Sequence, residues 1–524
     1  MMLKVSPSTR AVAWLSFAAF VAALFFMQIR LATNVDVAFN IIAGQKIWAG
    51  LNYPDGIRDI NPPLIALLNV PPVALSKVLP ISLPVVFVLY VYLLALFSVW
   101  LICAVVPPQF EEGRGFALAT LVLLLVLLFV LPGIEFGERE HFICIMAAPY
   151  LCLVARRWQG QNSTTAATIV CVAYATVGFC LKPTLLALPA IIFLIDAWRT
   201  RSLRPLFSAE NLTVAGVVLV YLAIIFLFFP GYLTIAADAV HSYSGYRSEP
   251  MKTMTLAVRF ALPGVFCLAI ATLLGTSRTL HAVLWLCGLL LIVGTVTAVA
   301  QMKDWSYHFL PVLFAGGMIC GVVILLTLRR WWAGQLPALA AVTLLVAAFV
   351  GLAQQIVANQ AYSLSVGSVA RMERQPLFAQ LRDKMRGAYV MNLTPAIGIV
   401  TQAIHDDAKW GSRLPSQHEW PFVYANMQRL SELPPVEADR VRKLDADLKA
   451  GLAADMAKFR PKFAFVEIGP EVSGVEDVDI LKYFLADRAV AEQWSHYSLY
   501  DDPKAPGGIL MDGRRKFQVY ERRD

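Results

Sequence analysis

The stretch NVDVAFNIIAGQKIWAGLNYPDGIRDINPPL, Asn34 to Leu64, decides how this sequence is read. It is polar and acidic, and it directly follows an uncharged apolar run, Ala11 to Ile29, which is long enough to cross the hydrocarbon of a bilayer. Asp36 opens a helical pattern in which Val37, Ile41, Gly44 and Trp48 form one stripe, and Gly50 supplies a stop. A carboxylate at a helix start is favoured by the free N–H groups and the macrodipole, which keep it ionised and suited to accept a proton. Capping alone would also place an aspartate there. Beyond the helix come Asp55, Asp59 and the prolines of INPPL, which fix the backbone where the chain turns back toward the membrane.

Composition sets the class. Of 524 residues, 58% are hydrophobic and 15% charged, and the mean hydropathy is +0.62. Those shares lie above and below the ordinary soluble values respectively, as in an integral membrane protein. The net charge of +8 is scattered at the ends of apolar runs and forms no basic stripe interleaved with aromatics, which argues against nucleic acid as a partner. The eight cysteines all fall inside apolar runs, so neither a disulfide framework nor a zinc cluster is implied.

The first run reads as a retained span, because a secretory apolar core is shorter, about 7–15 residues. Further candidate spans are Leu83–Val106, Phe116–Leu131, Phe142–Ala155, Ala166–Leu181, Leu185–Ala197, Leu212–Phe229, Phe260–Leu274, Ala282–Ala300, Phe309–Leu328 and Leu336–Val357. The fold expected is therefore a polytopic α-helical membrane protein with about eleven transmembrane helices. With the N-terminus inside, the cytoplasmic loops hold Arg156, Arg157, Arg199, Arg201, Arg204, Arg278, Arg329 and Arg330, mostly bare arginines tight against the membrane. The outer loops carry nearly as many basic residues, but beside Asp36, Asp59, Glu138, Glu140, Glu249 and Asp304. Mixed charge concentrated on one side reads as a site. Leu64 to Pro80, broken by Pro71–Pro72, reads as a helix lying along the outer leaflet.

Residues 1–357 thus form a transmembrane domain, with 31–81 as its first extracytoplasmic loop, and 358–524 form a C-terminal extracytoplasmic α/β domain. The tail is helical near Val366–Met385 and Val436–Phe459 and strand-like at Ala388–Asn392 and Phe463–Ile468. It ends in a hairpin turned at Asp512–Gly513. His405, Asp406 and Asp407 are a lone cluster without a spaced partner, weak as a metal site.

Charges at the expected outer boundary carry the chemistry. GIEFGEREHF places Glu135, Glu138, Arg139, Glu140 and His141 at the end of the third span, which is costly unless they are wet, paired or functional. Lys182 stands between two apolar runs with no charge beside it in sequence; it either snorkels to the interface or meets a lipid-linked phosphate. QMKDWSYHF supplies Lys303 and His308, and SYSGYRSEP supplies Tyr243, Tyr246 and Arg247. No glycine-rich phosphate loop, GxSxG, HExxH or CxxC is present.

Across Asp36 to Leu64 the sequence resembles the GT-C superfamily of multispanning glycosyltransferases, in particular bacterial aminoarabinose transferases and protein O-mannosyltransferases. The residues that carry the resemblance are Asp36 just after the first span, a juxtamembrane helix ending at Gly50, and the return Pro62–Pro63–Leu64. GEREHF, Pro149–Tyr150, Lys182–Pro183 and KDWSYHFLP also resemble motifs of bacterial relatives. Two departures stand out: Val37 follows Asp36 where many relatives have Glu, and Asn61 stands where the aminoarabinose transferases have Lys.

The resemblance implies an enzyme of the bacterial inner membrane that takes a sugar from a polyprenyl-phosphate donor and passes it to a glycan or glycolipid acceptor. Asp36 and Glu138 would be catalytic. Asp59, Asn61, Arg139, Glu140, His141, Lys182, Tyr243, Tyr246, Arg247, Lys303 and His308 would bind substrate, between the outer-leaflet helices and the tail. No metal ligand is implied, although room for a divalent cation is left. The rival class is a transporter or lipid flippase, which would place its charges within spans and show paired halves. Reporter fusions at Gly367 and at Arg157 are expected to report opposite compartments; two cytoplasmic signals would defeat the expected orientation.

Overall fold

The computed structural model describes residues 7–105, 113–161, 163–242, 248–366, 376–395, 398–469, 471–472, 475–476, 478–501, 506–512 and 515–523. Helices run in order over Pro7–Gln28 (α1), Val35–Trp48 (α2), Leu64–Val78 (α3), Leu83–Val105 (α4), Arg114–Phe129 (α5), Arg139–Trp158 (α6) and Thr165–Cys180 (α7). They continue over Ala187–Thr200 (α8), Ala209–Phe228 (α9), Pro230–Ser242 (α10), Pro250–Leu274 (α11), Arg278–Ala300 (α12), Leu310–Trp332 (α13) and Ala338–Val366 (α14). Two compact units result: Met1–Ala32, Val88–Tyr221 and Ser248–Ser368 make one, and Thr33–Phe87, Leu222–Arg247 and Val369–Asp524 make the other.

The first unit is a helical bundle around α13, which is buried along nearly its whole length. α13 packs on α5, α6, α11, α12 and α14. Small residues allow this closeness: a Cβ on Gly264 of α11 would fall 2.9 Å from Gly316 of α13, so the two backbones touch through glycine on both sides. Among the described residues, six stretches are long and apolar enough to cross a membrane: Leu83–Val105, Pro183–Thr200, Ala209–Phe228, Pro250–Leu274, Arg278–Ala300 and Ser306–Trp332. Shorter apolar helices cover Leu15–Gln28, Leu64–Val78, Arg114–Phe129, Thr165–Cys180 and Ala338–Ala353. Phe226, Leu227, Leu262, Phe266 and Leu273 are exposed, an apolar exterior that hydrocarbon covers and water does not. The chain is a membrane protein.

One expectation about charge needs correcting. Arg157 is not bare: it pairs with Asp196 at 2.6 Å and Glu210 at 3.0 Å, while Trp158 donates to Asp196 and Tyr150 to Glu210. The acids come from α8 and α9, far along the chain from the loop that follows Arg157.

The second unit is built on a six-stranded mixed sheet. Tyr389–Leu393 (β1) lies parallel to Lys409–Trp410 (β2) and to Phe463–Ile468 (β3). After the short antiparallel pair Glu471–Val472 (β4) and Val475–Glu476 (β5) come Tyr497–Leu499 (β6), Ile509–Asp512 (β7) and Arg515–Arg522 (β8). β8 runs antiparallel to β3, β6 and β7, so the expected terminal hairpin forms; Gly513 of its turn lies outside the described residues. FAFVEI is apolar without alternation because β3 is central and buried on both faces. The helix Pro435–Phe459 buries Val441, Leu444, Leu448, Leu452 and Met456 at spacings of three and four, the stripe that fits a sheet face.

The Asn34–Leu64 stretch belongs to this second unit, sewn to residues some 370 positions later. Helix Gly398–His405 packs on α2, and Thr401 donates to Thr33 O at 3.1 Å. Lys46 sends its buried ammonium to Gly56 O at 2.9 Å and to Ser412 O. Arg58 pairs with Glu419 at 3.1 Å, and its N–H donates to Arg413 O at 2.7 Å. Asn52 and Tyr232 close the other flank, on Phe228 O at 2.7 Å and Ile60 O at 3.1 Å. α3 runs through Pro71–Pro72 as one helix, and α2 crosses it so closely that a Cβ on Gly44 would fall 2.9 Å from Asn69.

Burial pulls the Lys46 amine down to about 7, against Asp455, which favours the charged form. The unfolded chain therefore carries a proton that the folded chain lacks between about pH 7 and the ordinary value of 10.5, and stability rises with pH through that window. Below it both states hold the proton and the contribution is flat. Unfolding midpoints of detergent-purified protein across that pH range are expected to climb in the wild type more than in Lys46→Met; parallel curves would show that this lysine keeps its proton when folded.

Candidate active site

Two groups of polar side chains lie inside the two units. In the first unit the chain breaks between α7 and the 3-10 turn Pro183–Leu186, because Pro183 cannot continue a helix and the residue before it is driven to extended geometry. Lys182 sits at that break with φ −140° and ψ 86°. Its ammonium is 2.7 Å from Glu140 Oε1 at the start of α6 and 2.9 Å from His308 Nδ1 in the 3-10 turn Ser306–Phe309 that leads into α13. Lys182, Glu140 and His308 are 6%, 0% and 4% exposed. The snorkelling alternative is thereby overturned: the charge stays inside and meets its counter-charge.

The ring state of His308 follows from its neighbour. Nδ1 lies 2.9 Å from the Lys182 ammonium and 3.3 Å from Glu140 Oε1; an ammonium has only donors, so the closer contact makes Nδ1 the acceptor and puts the proton on Nε2. Nε2 is buried without a hydrogen-bond partner among the described residues, and so is Glu140 Oε2. A donor and an acceptor thus remain unspent in a dry setting, at a cost that a ligand hydroxyl or phosphate oxygen would relieve. Trp305 stacks on the His308 ring at 5.6 Å and Tyr307 tilts against it at 4.4 Å. Lys303 lies 4.3 Å over Trp305, and Arg139 is 3.9 Å from Glu140.

Other expected residues have different roles. Glu138 is the buried N-cap residue of α6, and Glu135 accepts from Ser306 at 2.5 Å. Ser248 and Lys252 bind Asp304, and Lys252 foremost holds that carboxyl below its usual range. His141 does not join the cluster: Gly137 N donates to its Nδ1 at 3.0 Å and its Nε2 donates to Leu128 O at 2.7 Å. Nδ1 holds the main chain of the GIEFGEREHF turn and Nε2 the main chain at the end of α5, which leaves neither for substrate. Tyr243, Tyr246 and Arg247 lie outside the described residues.

In the second unit Asp36 occupies the first turn of α2, but it is not the cap. Asn34 caps the helix, accepting from Asp36 N at 2.8 Å, so a carboxylate two residues further on is not required for capping. One turn along, Asn40 is buried and neither end of its amide finds a hydrogen bond among the described residues. The sequence offered no signal for Asn40 beyond its spacing of four from Asp36. Asp59 accepts from Asn61 N at 3.1 Å, a local turn that shapes the approach to Pro62–Pro63. His405, Asp406 and Asp407 do not converge on a common point: His405 Nε2 meets Thr33, and Asp406 pairs with Arg382 at 3.1 Å. Burial foremost, with Arg382, brings the His405 imidazole down to about 4, so it stays neutral as an acceptor for Thr33 N–H.

A membrane-embedded helical bundle with a polar first loop folded onto a C-terminal mixed sheet is the GT-C-like fold. The chain is similar over 97% of its length to the crystal structure of ArnT from Cupriavidus metallidurans in the apo state, covering 98% of that chain at 16% identity with a TM-score of 0.52. No family model matches the chain. No curated protein matches it either.

Removing the charge at Lys182 alone leaves the buried Glu140 only the more distant Arg139, at 3.9 Å, as counter-charge, and breaking a buried pair in this way costs up to about 3–5 kcal/mol. Lys182→Met is expected to unfold earlier in denaturant than the wild type, and Lys182→Met with Glu140→Gln to recover most of the difference. A double variant no more stable than the single one would remove the ion pair as the constraint on this cluster.

Proposed function

We propose that this chain is a glycosyltransferase of the bacterial inner membrane, moving a sugar from a polyprenyl-phosphate donor to a hydroxyl of a cell-envelope glycan or glycolipid on the outer face. The observation that carries the reading is the buried Glu140–Lys182–His308 cluster with one donor and one acceptor unspent. The GT-C-like fold supports it.

A sugar hydroxyl both donates and accepts, so the headgroup of such a donor satisfies Glu140 Oε2 and His308 Nε2 together. A departing phosphate needs no proton from an acid if cations hold its charge. Glu140 already balances Lys182, so that electrostatic role is shared with Arg139 and Lys303. Asp36 is the general base, taking the proton of the acceptor hydroxyl as its oxygen attacks the anomeric carbon. Asn40 orients a substrate polar group beside it, and Glu138 supports the cluster from the start of α6.

Asp36→Asn keeps size and leaves the Asn34 cap untouched, so the protein is expected to fold normally and lose transfer by about 10²–10⁴-fold. The assay is incubation of purified protein with radiolabelled polyprenyl-phosphate sugars and membrane glycolipid acceptors, scoring sugar transfer and carrier release. Near-normal turnover in the variant would remove Asp36 as the base. Absence of transfer by the wild type, with solute or lipid movement in reconstituted vesicles, would overturn the transferase reading.

A further inference from the structure

A cavity of about 440 Å³ lies at the end of the bundle where α11 stops, α12 begins and α13 ends. Thr276, Ser277, Leu326, Arg329, Arg330 and Gln335 line it. The two arginines are consecutive in the last turn of α13, and neither has an acidic partner within ion-pair distance among the described residues. Arg330 donates to Gly275 O at 2.7 Å, which anchors one nitrogen of its guanidinium at the cavity wall and leaves the charge uncompensated. Leu326 is buried and gives the cavity an apolar inner wall. Next in the chain, Trp331 and Trp332 are exposed, Trp332 at 81%.

These features belong together in one place only. Exposed tryptophans at the end of an apolar helix mark the level where hydrocarbon gives way to headgroups. Paired cations without counter-charge at that level attract an anion, and guanidinium forks match phosphate oxygens in shape. An apolar wall on the bilayer side and hydroxyl and amide groups opposite would divide a headgroup from its chains. We infer that this cavity binds the phosphodiester headgroup of an anionic phospholipid, in the leaflet facing the α11–α12 turn. Basic pockets between membrane helices take such headgroups by the same physics. The site is independent of the proposed transfer reaction, since none of its residues belongs to the Glu140 cluster or to the Asp36 loop.

The test is retention of phosphatidylglycerol against phosphatidylcholine of the same acyl chains by detergent-purified full-length protein, read by native mass spectrometry. The wild type is expected to hold the anionic lipid preferentially. Arg329→Gln with Arg330→Gln keeps hydrogen-bond donors but not charge, and is expected to weaken retention by about 30-fold. Thr276→Glu removes no arginine and places an acid in the cavity; it is expected to abolish the preference even if the double variant folds poorly. A wild type that holds both lipids alike, or a folded double variant that holds phosphatidylglycerol as the wild type does, overturns the site. Release of the lipid by excess inorganic phosphate overturns the lipid source in favour of a soluble anion.

Discussion

Glu140 and Lys182 lie 2.7 Å apart with almost no exposure, and each is the other's nearest counter-charge. Removing an ion from water costs several kcal/mol even after the protein relaxes, and only a close counter-charge with further hydrogen bonds offsets it. This constraint ties the GIEFGEREHF turn to the Lys182–Pro183 break, and the contact of Lys182 with His308 adds the turn that leads into α13. The same rule joins Arg157 to Asp196 and Glu210 in the bundle, and Arg413 to Asp455 in the second unit.

The second unit depends on a related bargain. Its first loop buries Val37, Phe39, Ile41 and Ile42 of α2, and main-chain carbonyls and acids of the later part of the chain receive its cations. Lys46 meets Ser412 O and passes 5.2 Å over Phe459, while Arg58 meets Glu419. A loop held by hydrogen bonds and partly buried charges keeps α2 in a fixed register on its neighbours. The proposed role of Asp36 as a base requires such a register, since a displacement of about 1 Å can cost two orders of magnitude in rate.

A fold shared at 16% identity with ArnT is intelligible on the same grounds. Membrane helices need an apolar exterior and small residues at contacts, demands that many sequences meet. Polar groups taken out of water are far less interchangeable.

The sequence by itself determined the membrane class, the helix Val35–Trp48 and its stop near Gly50, the strands Tyr389–Leu393 and Phe463–Ile468, and the long helix that ends at Phe459. These are legible because local period and composition specify them. It also marked Lys182, Glu140 and His308 as costly residues, since a charge in an apolar context is visible without a partner. Which charge answers which was decided by tertiary structure alone. Glu140, Lys182 and His308 are separated by 42 and 126 positions, and no spacing rule spans such gaps. The cap at Asn34 in place of Asp36, the main-chain duty of His141 and the exposure of the Arg329–Arg330 pair to a cavity were likewise settled only when packing brought distant groups within hydrogen-bond range. Periodicity tells which face of a helix is apolar, but a hydrogen bond is a statement about two atoms, and the fold chooses the second.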